Sequence, residues 1–259
     1  MEAKKPKVKD HYLRHRILFA VIRPLGWLVS KITVNYSYKR VPPMSEPYIL
    51  LANHCTDLDP ILVALGMPGQ AYFVASEHIT RWKVFGLLKF VFDPIIRYKG
   101  TVGAGTVKEI LKKVKEKKNV AFFPEGVRTM DGRTMPIVPA TARLIQRSGH
   151  ALVTYKLHGG YFTSPNWGES GLRRGKLWGE PVHIYSSQEL KSMSLADLTR
   201  IIDEDLAEDA YVWQQEHRQA YKGKKLAEHL ENILFICPDC GKVHTMASRG
   251  DRIFCTSCG

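Results

Sequence analysis

Two short apolar runs, each broken off by turn chemistry, constrain this chain more than any other feature. Tyr48–Ala52 leads into Asn53-His54-Cys55-Thr56-Asp57-Leu58-Asp59-Pro60, and residues 119–123 lead into Pro124-Glu125-Gly126-Val127-Arg128. Such runs read as buried strands. The polar residues that follow them should emerge at strand ends, where α/β proteins place their sites. A histidine, two carboxylates and an arginine then share one rim, which suits moving a proton while holding an anion.

The local chemistry sharpens this. Asp59 before Pro60 reads as a helix N-cap with proline in the first helical position, and residues 61–65 continue the helix. His54 then lies in the turn ahead of that helix. A carboxylate five residues on can fold back to accept the imidazole Nδ1–H, leaving Nε2 as a base. Cys55 points away from its neighbour in extended backbone and reads as a small buried filler, not a nucleophile. Asp57 is expected to help cap the helix. In the second block Gly126 permits a sharp turn that exposes Glu125 and Arg128, and the planar fork of an arginine suits phosphate.

Taken together and in this order, the blocks resemble the glycerolipid acyltransferases, the 1-acyl-glycerol-3-phosphate acyltransferase family. The family's His-x4-Asp motif matches His54 and Asp59, and its Glu-Gly-x-Arg motif matches Glu125, Gly126 and Arg128, within a resemblance spanning about residues 35–185. The resemblance implies an α/β fold with a mixed sheet flanked by helices. It implies that His54 deprotonates a glycerol hydroxyl, which attacks an acyl thioester carried by acyl-CoA or acyl carrier protein, with no acyl-enzyme and no catalytic cofactor. It assigns Glu125, Gly126 and Arg128 to the acceptor, a lyso-phospholipid with lysophosphatidate first in line. Arg97 matches a family arginine at a strand end, and Lys99 joins it on charge alone. The turn holding Gly103 and Gly105 reads as a plain loop before a helix reaching about Lys118.

At the other end Cys237-Pro-Asp-Cys240 and Cys255-Thr-Ser-Cys258 stand fourteen residues apart. Four thiolates so spaced can close a tetrahedral, structural zinc site on two knuckles, each followed by glycine. The N-terminus does not read as a signal peptide, which favours thiolates over two disulfides.

The net charge is +13, and the surplus of Lys and Arg lies ahead of residue 189 rather than on the nearly neutral ribbon. Lys4, Lys5, Lys7, Lys9, Arg14 and Arg16 precede an apolar stretch, 17–32, interrupted by Arg23-Pro24 and holding Trp27 and Lys31. This predicts a kinked helix lying in an anionic membrane interface, hence a peripheral or monotopic protein on the cytoplasmic face. Residues 82–92 form a second apolar patch. Residues 187–234 read as polar helices, with a capping box at Ser194 and Asp197. The divisions expected are a membrane-associating segment 1–36, an acyltransferase core 37–186, a helical tail 187–234 and a zinc ribbon 235–259. A nucleic-acid-binding zinc-ribbon protein and a non-catalytic lipid-binding scaffold are the rival readings. Because the basic region adjoins an apolar helix, a membrane is the expected partner and nucleic acid is not.

Overall fold

The computed structural model describes residues 12–98, 104–168 and 171–259. Its main sheet is built from β1 (Tyr36–Tyr38), β2 (Tyr48–Ala52), β3 (Tyr72–Ser76), β4 (Ile95–Arg97), β5 (Val120–Phe122), β6 (Ala151–His158) and β7 (Leu177–Tyr185). The spatial order is β1-β7-β6-β2-β5-β3-β4. All neighbours pair in parallel except β6 and β7, so β7 and β1 run against the other five.

The apolar run of β2 explains the layering. Tyr48, Leu50 and Ala52 enter a cluster with Val34, Leu62 and Tyr155, while Ile49 and Leu51 enter another with Ile110, Ile145 and Leu198. A strand buried on both faces belongs in the middle of a sheet sandwiched by helices. Each large aliphatic side chain so buried stabilises the fold by about 1.5–3 kcal/mol. On the first face lie α1 (Tyr12–Val34) and α2 (Asp59–Gly66), with α3 (Phe85–Phe92) against α1; on the second lie α4 (Ala104–Lys115) and α5 (Ala140–Ser148). After β6 comes the single-turn α6 (Gly160–Thr163), and after β7 come α7 (Ser187–Ser192), α8 (Leu195–Leu206) and α9 (Ala210–His217). Leu198, Ile202 and Leu206 of α8 complete the second core cluster, so this polar helix packs its apolar stripe on the main sheet.

Two local expectations, at the starts of α2 and α8, need correction. The N-cap of α2 is Leu58, without a side-chain cap; Asp59 is the first helical residue, and its carboxylate serves the preceding turn instead. The N-terminal helix holds Pro24 inside it. It continues from Tyr12 to Val34 and is long and apolar enough to cross a membrane by length and composition. The complete capping box belongs to Ser186 and Glu189 of α7, whereas Ser194 caps α8 through the Asp197 N–H alone.

At the C-terminus β8 (Met246–Arg249) and β9 (Arg252–Cys255) form an antiparallel hairpin. The main-chain N–H of Ala227 donates to Gly250 at 2.9 Å, and that of Leu226 donates to Asp251 Oδ1 at 2.7 Å, fastening the hairpin to the segment before it.

Candidate active site

Parallel pairing brings the motifs together. β2 lies in register with β5, Leu51 opposite Phe122, so Asn53 and Phe123 leave the sheet side by side. β3 follows β5, and β4 pairs with β3 through Ser76 and Arg97, which sets Arg97 at the same end. Lys99 lies outside the described residues.

His54 and Asp59 form a tight pair: imidazole Nδ1–H donates to Asp59 Oδ2 over 2.8 Å. The Asp59 side chain is 0 % exposed. Its charge is met by four donors in all, the others being the N–H groups of Cys55 at 2.6 Å and Thr56 at 2.9 Å and the Thr56 hydroxyl at 2.6 Å. A buried carboxylate is tolerated only when so satisfied. The arrangement fixes the histidine tautomer and directs Nε2 away from Asp59. The ring stacks on Phe123, with centroids 4.4 Å apart, and remains 19 % exposed. Asn53 braces the same turn from below, trading hydrogen bonds with the main chain of Leu157 on β6.

Glu125 occupies a different place from the one its motif suggests. It is buried: Oε1 accepts the His54 N–H and Oε2 accepts the Met135 N–H, both at 2.6 Å. Burial pushes its carboxyl up to about 7, while those two N–H donors pull it down. The side chain therefore ties the turn that carries His54 to the segment that carries Met135. Cys55 is buried as expected, and burial raises its thiol well above the usual range, which keeps it protonated and inert.

Arg128 faces the rim. Its Nη1 lies 3.3 Å from Asp57 Oδ2, and its Nη2 donates to Asn166 Oδ1 at 2.6 Å. Asp57 therefore pairs with the arginine instead of capping α2. Gly126 has φ +74°, and a Cβ there would meet Arg97 Nη1 at 2.5 Å. Glycine suits the positive φ of the turn, and it lets the Arg97 guanidinium lie against the turn without shifting. Nothing in the sequence alone singles out Asn166 or Phe123. Thr56 had a legible signal, as a hydroxyl inside the His-x4-Asp loop.

Residues 31–157, which hold all of these groups except Asn166, match the family described as Acyltransferase. That stretch is an acyltransferase domain. The chain is 25 % identical over 173 residues to a 1-acyl-sn-glycerol-3-phosphate acyltransferase of Bacillus subtilis, covering 64 % of this chain and 82 % of the relative. It is 28 % identical over 142 residues to the chloroplastic 1-acyl-sn-glycerol-3-phosphate acyltransferase of Brassica napus, 54 % of this chain but 41 % of that protein. Among solved structures, the 1-acyl-sn-glycerophosphate (LPA) acyltransferase PlsC of Thermotoga maritima shares the fold. Its TM-score is 0.65 at 16 % identity, over 82 % of this chain and 84 % of that one.

The acyltransferase also carries the four-cysteine cluster. Its ligand atoms all lie within 4.8 Å of one another, with Sγ of Cys237 3.7 Å from that of Cys258 and Sγ of Cys240 3.8 Å from that of Cys255. Tetrahedral zinc with bonds of about 2.3 Å needs sulfur–sulfur edges of about 3.8 Å, so the cage fits a structural metal. The N–H groups of Cys240 and Ser257 point at the sulfurs of Cys237 and Cys255, as thiolates favour. His244 instead stacks on Phe235.

Proposed function

We propose that this acyltransferase moves a fatty acyl group from acyl-CoA or acyl carrier protein to the free hydroxyl of a lyso-glycerophospholipid, lysophosphatidate giving phosphatidate. The observation that carries this reading is the oriented His54–Asp59 pair, with Arg128 held beside Asp57 in the same turn. His54 Nε2 takes the hydroxyl proton as the oxygen attacks the thioester carbonyl. The C–O bond forms, the C–S bond breaks, and the proton passes to the departing thiolate, giving the ester and a free thiol. Asp59 stabilises the transient imidazolium. Arg128 and Arg97 hold the acceptor's phosphate, and Glu125 positions His54 through its main-chain N–H.

The decisive test supplies purified protein with a panel of labelled acyl thioesters and lyso-lipids and identifies the product by mass spectrometry. Ester formation on lysophosphatidate supports the reading, and turnover only of acceptors without phosphate overturns it. Arg128→Lys then checks the anion site. It keeps the charge but loses the fork, so KM for lysophosphatidate should rise about tenfold. An unchanged KM refutes the assignment.

The same reading places the protein on a membrane surface. Leu13, Ile17, Val21, Leu25, Leu28 and Ile32 form an exposed apolar stripe along α1, and Leu87 and Phe90 of α3 are exposed beside it. The opposite side of α1 buries His15, Ser30 and Val34. A helix apolar toward solvent and packed on its own domain behind suits lying in the interface, not crossing it. Val21→Glu with Leu25→Glu should cut liposome binding by at least about tenfold, since each large apolar side chain withheld from lipid forfeits about 1.5–3 kcal/mol. Flotation with anionic vesicles reads this, and equal flotation of wild type and variant counts against it.

A further inference from the structure

The C-terminal end of α1 does not finish in open solvent. Arg174 Nε donates to the Ile32 carbonyl at 3.0 Å, satisfying one of the carbonyls that a helix leaves unpaired in its last turn. Arg174 in turn pairs with Lys222: the main-chain N–H of each donates to the carbonyl of the other, at 2.8 and 2.9 Å. A Cβ on Gly175 would run into the Tyr221 ring, so glycine there lets the ring lie against the first stretch, and the Tyr221 hydroxyl donates to the Lys176 carbonyl at 3.2 Å. Arg173 Nη2 fastens the same two stretches one step further on, donating to the Leu226 carbonyl at 2.8 Å. A basic edge is thereby held against the end of the apolar stripe. Arg174, Lys222, Lys224 and Lys225 are all exposed. Glu228 lies 3.8 Å from Lys225, but among the described residues Lys222 and Lys224 have no carboxylate within ion-pair reach. The stripe itself ends at Ile32, 62 % exposed, the residue whose carbonyl this edge grips.

We propose that the edge formed by Arg174, Lys222 and Lys224 is a second membrane contact that takes anionic lipid headgroups and seats the C-terminal end of α1 on the same leaflet as its N-terminal end. This rests on the reading of α1 as an interfacial helix. Charge and place both support it. Unpaired ammonium groups bordering an apolar stripe lie within a Debye length of the headgroups once the stripe is in the interface. Their apolar stems cover the border of the stripe while the charged heads reach the lipid phosphates. At the other end of α1 stand Arg14 and Arg16, so cations flank the stripe on both sides. A helix with cationic ends and its own domain packed along one side lies in the plane of the surface, whereas spanning would carry one of those ends across the bilayer. Nucleic acid would use the same cations but gains nothing from the apolar stripe beside them.

The test floats the full-length protein with vesicles of phosphatidylcholine alone and of phosphatidylcholine mixed with phosphatidylglycerol, each variant first checked for a native melting curve. Lys222→Gln with Lys224→Gln removes charge and leaves the main-chain pairing of Arg174 with Lys222 intact. Its partition onto the mixed vesicles should fall roughly tenfold, since each cation near an anionic surface contributes about fivefold and salt screens part of that. On phosphatidylcholine alone the variant and wild type should float alike, and raising salt should close the gap on mixed vesicles. Lys108→Gln with Lys115→Gln takes the same charge from α4, on the other face of the sheet, and should shift partition by less than about twofold. If the Lys222 and Lys224 variant floats like wild type on mixed vesicles while Val21→Glu with Leu25→Glu does not float, the inference is overturned and the interfacial helix stands. If that apolar variant also floats like wild type, the membrane reading itself fails, and the inference fails with it. An equal loss on neutral vesicles, or an equal loss from the α4 variant, makes the effect one of packing or of net charge and overturns the inference too. Lost binding of labelled duplex DNA with unchanged flotation would assign the edge to nucleic acid instead.

Discussion

His54→Ala slows acyl transfer by about 10²–10⁴ while the chain keeps its fold, the loss typical of removing a general base. Retention of the fold follows from what His54 contributes. Apart from the imidazole's bond to Asp59, its structural contacts run through the main chain, with the His54 N–H donating to Glu125 and the Thr129 N–H donating to the His54 carbonyl at 2.9 Å. Alanine preserves both. The imidazole itself is partly exposed and stacks on one face of Phe123, so deleting it opens no deep cavity. Asp59→Asn behaves differently. All four donors that face the carboxylate expect an acceptor, and an amide must turn its NH₂ toward one of them. It should therefore lower both kcat and the melting temperature, whereas His54→Ala, which leaves three of the four donors to Asp59 in place, lowers kcat with a smaller fall in melting temperature. Initial rates of thiol release beside thermal melts separate the two patterns. Near-normal turnover in a folded His54→Ala protein would sink the mechanism.

Local chemistry was legible in the sequence, and long-range chemistry was not. β2 and the cysteine knuckles are each specified within a few residues, so periodicity and spacing point to them, while the His54–Asp59 pair is picked out by its match to the family's His-x4-Asp motif. The misplaced cap shows where local rules stop. Asp59 before proline reads as an N-cap, but its carboxylate gains more from four donors in the turn than it would from the helix end, and Leu58 takes the cap position. Glu125 reads as a rim residue because charged side chains usually face water, yet the orphan N–H groups of two turns draw it inward. Pro24 sits on the exposed side of α1, inside a helix that runs on to Val34. Asn166 lies 38 residues from Arg128, and no spacing rule joins them. β7 is masked by Gly179 and Pro181 within it. That glycine answers to packing: a Cβ there would meet the hydroxyls of Tyr36 and Tyr155, which come from β1 and β6.

Withdrawing zinc should unfold residues 235–259 while the sheet survives. The hairpin has four residues in each strand, and Phe235, Ile236, Val243 and Phe254 remain substantially exposed, so burial contributes little to its stability. A closed four-thiolate site supplies about 10–16 kcal/mol of apparent binding free energy near neutral pH, and in so small a unit that is the folding energy. Cys237→Ser with Cys240→Ser should abolish metal binding and remove the hairpin's dispersion in amide spectra. The disturbance has a defined route inward. Residues 226–229 are hydrogen-bonded to 248–251, and Leu230 and Ile233 pack on the cluster of Tyr161, Trp167 and Ala210. Tyr161 lies on α6 and Trp167 follows Asn166 directly, so the loop that holds Arg128 feels the loss first. The His54–Asp59 network depends instead on β2, β5 and β6. Acceptor KM should therefore rise by several-fold, an effect of the size of one lost hydrogen bond to a charged group, while kcat falls far less than in His54→Ala. Metal analysis of wild type under reducing conditions decides the first half, since zinc-free protein with a folded hairpin would refute the site. Kinetics of the double cysteine variant decide the second: complete inactivity with an intact sheet would make the ribbon part of the catalytic machinery and not a brace for the acceptor loop.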